Sequence, residues 1–160
     1  MLQGAARALV IAAAIGAALN GGVFFAFSSF VMGGLQRLPA SQAIAAMQAI
    51  NREAPTPIFM SALFGTAALS VGAIVVGTRS LRTPSSPYLI AGGVLYLLAI
   101  VLTATYHVPR NNALALVEPN AVDAAAIWAR YFREWTTWNH ARTATSVAGA
   151  VAFVVALLTE

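Results

Sequence analysis

Residues 131–145 read YFREWTTWNHARTAT and hold the densest chemistry in the chain. His140 there can act as a general base near neutral pH. Arg142 and Asn139 can donate hydrogen bonds to a developing oxyanion. Tyr131, Trp135 and Trp138 add flat aromatic faces, so the stretch can bind a planar, oxygenated ligand. The plainer reading of the same aromatics is an interfacial belt, with Trp and Tyr at headgroup depth. A belt covers the tryptophans and leaves Asn139, His140 and Arg142 without a purpose.

Further candidates lie elsewhere in the chain. HVPRNNAL, residues 107–114, sets Asn111 and Asn112 behind Pro109, which is ordinary turn chemistry or, beside arginines, an oxyanion-binding corner. Asn51 precedes Arg52 in a similar setting. Asn20 lies deep in an apolar run, where an amide either joins helices or reaches a ligand. His107 and His140 are the only imidazoles. Two histidines fall short of the three or four ligands of a stable metal site, and the rest would have to come from amides, water, Glu53 or Glu134. The expectation is therefore no resident metal or cofactor. If a metal is held, His140 and His107 are its ligands, and haem is left open.

Four apolar segments must position these groups. The chain has 160 residues, of which 59% are hydrophobic and only 9% charged, far below the charge content of a soluble domain. Ala8–Leu35, Ala54–Thr78, Thr83–Pro109 and Thr143–Thr159 carry no charge, and each is long enough to cross a bilayer. The expected fold is all-α: a single domain, 1–160, forming a four-transmembrane-helix bundle. Its helices are expected at about 4–32, 57–76, 88–106 and 142–159. The first apolar run continues far beyond the core of a cleavable signal, so it reads as a retained helix.

A hairpin, a short turn and a second hairpin put both long connectors, 33–56 and 107–141, on one membrane face. Ile44, Met47 and Ile50 form one stripe in the first connector, which predicts an amphipathic helix at the interface. Trp128, Tyr131 and Trp135 predict a second, running into the fourth span with Asn120 or Asp123 as its cap. Nearly every candidate residue then falls in one layer at one end of the bundle. Asn51-Arg52 before the second span and Asn139…Arg142 before the fourth hint at an internal repeat.

All nine basic residues are Arg, scattered between helices, so the net charge of +4 does not indicate nucleic-acid binding. The absence of cysteine excludes disulfide exchange, thiolate metal sites and cysteine nucleophiles. No ionisable residue sits at the centre of a span, which weighs against a transporter. The protein is expected in a plasma or inner membrane. Arg79 and Arg82 in the short turn favour cytoplasmic termini, although most of the arginines lie on the opposite face.

GGVFFAFSSFVM, AIAAMQAIN, VPRNNAL and WARYFREWTTWNHART together resemble the anthrone oxygenase-like family of small four-helix membrane proteins, from about Gly16 to Arg142. Asn51, Pro109, Asn111, Asn112, Asn139, His140 and Arg142 match its motifs. His107 and Arg110 stand where that family has Asn and Leu, so neither receives a family role. The resemblance implies oxidation of an anthrone to an anthraquinone by O2, with His140 as base. Arg142 and the Asn pair would then stabilise an enolate while Trp135 and Trp138 stack on the rings. It also implies a hydrophobic aromatic small molecule as partner besides the bilayer. The alternatives are a non-catalytic tetraspan that binds a lipid, quinone or small solute, and a metal- or haem-dependent membrane oxidoreductase. A homo-oligomer is compatible with each.

Overall fold

The computed structural model describes residues 4–159. Among them, four helices are long and apolar enough to cross a membrane: α1 (Ala5–Gln36), α3 (Pro57–Arg79), α4 (Ser86–Ala115) and α5 (Ala124–Leu158). The shorter α2 (Ala40–Glu53) links the first two. The architecture is that of a multi-pass, all-helical membrane protein. In the bundle α1 packs on α3 and α5, and α4 packs on α3 and α5, the ring expected of an up-down-up-down chain.

Local chemistry fixes the helix starts. Thr56 caps α3 by accepting a hydrogen bond from the Phe59 N–H at 3.2 Å, and Pro57 occupies the first turn, where its missing N–H costs nothing. Asp123 stands at the α5 cap position but makes no side-chain capping bond. Glycine sets the close approaches within the bundle. A Cβ on Gly93 of α4 would lie 2.7 Å from the Ser70 carbonyl of α3, and one on Gly92 would lie 2.7 Å from the Phe153 ring of α5.

The spans outgrow the bilayer at one end only. The 35 residues of α5 rise about 52 Å, well beyond a hydrocarbon core of about 30 Å. Its N-terminal turns, the end of α1, the end of α4 and α2 build a separate apolar core around Met32, Ile44, Met47, Leu114, Trp128 and Tyr131. This cap sits over the bundle, whose own core includes Val10, Ala73, Leu89 and Phe153.

Two sequence expectations change here. The stripe of α2 is not spread on the membrane surface, because Ile44 and Met47 are buried against the cap. Residues 108–115, read from the sequence as a turn, extend α4 instead, whereas 124–141 run into the fourth span as expected and open α5 without a break.

Each of the two parallel spans widens just below the cap. Phe27–Val31 of α1 and Thr103–His107 of α4 form single π-helical turns. The Met32 N–H bonds the Phe27 carbonyl, and the Val108 N–H bonds the Thr103 carbonyl. Such a turn re-aims the side chains beyond it and recurs at functional sites. Matching π turns add a structural counterpart to the repeat suggested by the two Asn-Arg pairs.

Candidate active site

Between cap and bundle lies a cavity of about 650 Å³, within the range of small-molecule sites. Its wall is mostly apolar, with Phe24, Phe27, Met60 and Leu63 prominent; Asn51, Thr103, His107, Asn111, Asn112 and Arg142 are among its polar groups, and Gln48, Arg52 and Glu53 complete them. Both π turns contribute to it.

Arg142 is 7% exposed, and its polar partners are all neutral. Nε and Nη2 donate to Asn139 Oδ1 at 3.1 and 2.6 Å, and Nη1 donates to Thr103 Oγ1 at 3.3 Å. The guanidinium carbon lies 4.0 Å above the Phe24 ring and 5.4 Å from that of Trp135. Three of its five N–H groups are taken in this way, and two remain.

Asn139 is fully buried and points nothing at the cavity. With Oδ1 facing the guanidinium donors, Nδ2 donates to the Phe24 carbonyl at 2.8 Å and to Ser28 Oγ at 2.7 Å. The Thr143 hydroxyl donates to the Asn139 carbonyl at 2.8 Å, which leaves Ser28 to donate to Thr143 Oγ1 at 3.1 Å. Asn139 therefore joins α1 to α5 and holds Arg142, instead of touching a ligand as a catalytic group.

Asn111 forms the second polar pole. The Tyr131 hydroxyl and the Trp135 indole N–H both donate to Asn111 Oδ1, each at 2.9 Å. Indole N–H can only donate, so the amide orientation is fixed and Nδ2 is left without a protein partner. Asn51 lies beside the Tyr131 hydroxyl, its own Nδ2 buried and unbonded. Tyr131 itself serves the cap core and does not line the cavity.

His107 is 1% exposed. Its Nδ1–H donates to the Leu102 carbonyl at 3.1 Å, the five-residue spacing of the π turn. Nε2 is buried without a hydrogen-bond partner, and the ring meets Trp135 edge-on at 5.0 Å. Donation from Nδ1 leaves a lone pair on Nε2 of the neutral ring, an atom enclosed by the protein.

His140 falls outside this site. The inward stripe of α5 is Trp128, Tyr131, Trp135, Asn139, Arg142 and Thr143. One residue beyond Asn139 is a turn of about 100°, which leaves His140 exposed and off the cavity wall. Trp138 is displaced the other way: it is 41% exposed and packs on Tyr106 at 4.8 Å, whose ring carries Arg110 at 3.3 Å. Arg110 pairs with Glu134 there at 3.3 Å. The belt reading thus suits Trp138, whereas Trp128 and Trp135 are buried at 3% exposure.

Asn20 is also off the cavity, with Nδ2 donating to the Gly16 and Ala62 carbonyls at 2.8 and 3.2 Å, so it joins helices. His107 and His140 do not converge, and among the described residues no three His, Asp or Glu side chains gather as metal ligands.

The sequence model of the anthrone oxygenase family matches residues 56–152, more than half of the chain. The chain belongs to the anthrone oxygenase family. No curated protein and no solved structure matches it. The anthrone oxygenase match spans α3, α4 and most of α5, so it contains Thr103, His107, Asn111, Trp135, Asn139 and Arg142. Asn51 and the α1 motif, which carried part of the sequence resemblance, lie before the matched residues.

Sequence reasoning gave no individual role to Thr103, Phe24 or Gln48, although Phe24 and Gln48 fall within the motifs GGVFFAFSSFVM and AIAAMQAIN. Gln48 Nε2 donates to the Leu114 and Val117 carbonyls at 2.9 and 2.8 Å, which closes the end of α4 over the cavity.

Proposed function

We propose that this protein is a membrane-embedded oxygenase that converts a lipophilic phenolic substrate of the anthrone type to the quinone with O2. The observation that carries this reading is Arg142: a buried cation in the cavity wall, held by an amide and a hydroxyl and, among the described residues, ion-paired with no carboxylate. A charge kept in such a place is costly unless a partner arrives. An enolate or phenolate oxygen is that partner, and preorganised donors in a dry site are worth most where negative charge develops.

The chemistry needs a base, a place for the oxyanion and exclusion of water. His107 Nε2 removes a proton from the activated methylene. The resulting enolate oxygen accepts from the unused N–H groups of Arg142 or from Asn111 Nδ2. The carbanionic carbon gives an electron pair to O2, forming a C–O bond, and the peroxide takes up a proton. Loss of water from this hydroperoxide breaks the O–O bond and leaves the ketone. One O2 is consumed and one water released for each CH2 converted to C=O, with no metal or organic cofactor required. The membrane is a plasma or inner membrane, with the termini on the cytoplasmic side.

The test uses purified protein in liposomes with an anthrone under air, following O2 uptake and quinone absorbance together. One O2 per quinone, at a rate above spontaneous oxidation and lost in Arg142→Lys, is the expected result. Wild-type protein that leaves the spontaneous rate unchanged would refute the enzymatic reading.

A further inference from the structure

The cavity is not closed on all sides, and its opening has a definite address. The α3 helix packs on the Ser86–Leu102 stretch of α4, whereas the π turn and residues 108–115 pack on one another and on other elements, with no comparable packing on α3. The exposed wall residues cluster on either side of this gap. On one edge are residues 52–55, the turn into α3; on the other are Val108, Asn112 and Ala115, one helical stripe of α4. Val23 of α1 is the exposed wall residue on the remaining side.

Height relative to the bilayer says what this gap meets. Pro57 begins a 23-residue span, about 34 Å long and so matched to the hydrocarbon core. The gap at its first turn therefore lies where acyl chains give way to headgroups. Pro55 and Val108 present exposed apolar side chains at the gap, whereas Arg52, Glu53 and Asn112 edge it with charge and amide. An opening with an apolar edge and a polar edge at this depth fits an amphiphile whose rings lie among acyl chains and whose oxygens stay at headgroup level.

We infer that the gap between the α3 N-terminus and the α4 stripe Val108–Asn112–Ala115 is a lateral portal through which a membrane-dissolved amphiphilic aromatic enters the cavity from the lipid. The inference rests on the proposed function for the identity of the occupant, and on geometry alone for the route.

The chain contains no cysteine, so one introduced thiol reports access. Leu63 is buried in the cavity wall. Leu63→Cys in liposomes is exposed to N-dodecylmaleimide, which partitions into the bilayer, or to a sulfonated maleimide, which does not. The lipid-phase reagent is expected to react about tenfold faster or more, because its chain concentrates it in the membrane. Adding Val108→Trp is expected to slow that reaction, and adding Val23→Trp to leave it unchanged. Met60→Cys, on the same wall, repeats the measurement should Leu63→Cys fail to fold. Faster reaction with the sulfonated reagent, or slowing by Val23→Trp in place of Val108→Trp, overturns the portal. Protection by the hydroxyanthraquinone alizarin is read separately. If labelling keeps its lipid-phase preference but alizarin does not protect, the portal stands and the aromatic-substrate reading falls.

Discussion

Arg142 and Asn139 act as one unit, because two guanidinium nitrogens donate to the single oxygen Asn139 Oδ1, at 3.1 and 2.6 Å. The amide that fixes the cation is itself tied to α1 through the Phe24 carbonyl and Ser28. Asn139→Asp would place a carboxylate against the guanidinium and neutralise the field that an enolate requires. Turnover should fall by roughly 10²-fold or more, on the scale of losing one oxyanion donor. Arg142→Lys should cost at least as much, since a compact ammonium cannot replace the planar fork. The double variant should cost no more than Arg142→Lys alone, as expected of residues acting together. Losses that multiply would separate the two roles.

The proposed mechanism gives His107 the part of base that sequence reasoning gives His140. His107→Ala should lower kcat for anthrone oxidation by roughly 10²–10⁴-fold, the usual contribution of a positioned base. His140→Ala, changing an exposed side chain off the cavity wall, should leave turnover near wild type. The comparison is a steady-state assay of both variants in the same liposomes. Full activity in His107→Ala with loss in His140→Ala would reverse the assignment.

Asn111 owes its orientation to two donors, so removing one should loosen it without emptying the site. Tyr131→Phe deletes one hydrogen bond, worth about 1 kcal/mol, while keeping the aromatic body that packs in the cap. The expected result is a severalfold lower kcat with little change in KM, because Tyr131 does not line the cavity. Asn111→Asp should do more harm, exchanging the free amide donor for an acceptor. A Tyr131→Phe effect confined to KM would mean that the hydroxyl meets substrate directly.

The bundle was legible from the sequence because apolar run length is a direct consequence of bilayer thickness. One-ended chemistry was legible too, since hairpin order alone places Asn51, Asn111 and Arg142 on one face. Helix phase at the border was not. Asn139, His140 and Arg142 are near neighbours in sequence, and a single residue decides which of them face inward. The π turns add a second phase change, in α1 and α4 and not in α5, and no residue in FSSFV or TATYH announces one. Arg142 and Asn111 were recognised as donors from their types, whereas Thr103, Phe24 and Gln48 acquire a role only when distant segments meet.

The close helix contact at Gly93 gives a stability test independent of any chemistry. A methyl group there would lie 2.7 Å from the Ser70 carbonyl and 2.5 Å from the Ile74 side chain. Backbone oxygen cannot rotate away, so α3 and α4 must separate. Gly93→Ala should destabilise the folded protein by about 1–3 kcal/mol, the usual cost of overpacking. Gly65→Ala, with nothing within 4 Å of the new methyl, should be neutral or slightly stabilising. Thermal unfolding of both variants in one detergent reads the difference. Equal midpoints would mean that the two helices do not meet as closely as their glycines allow.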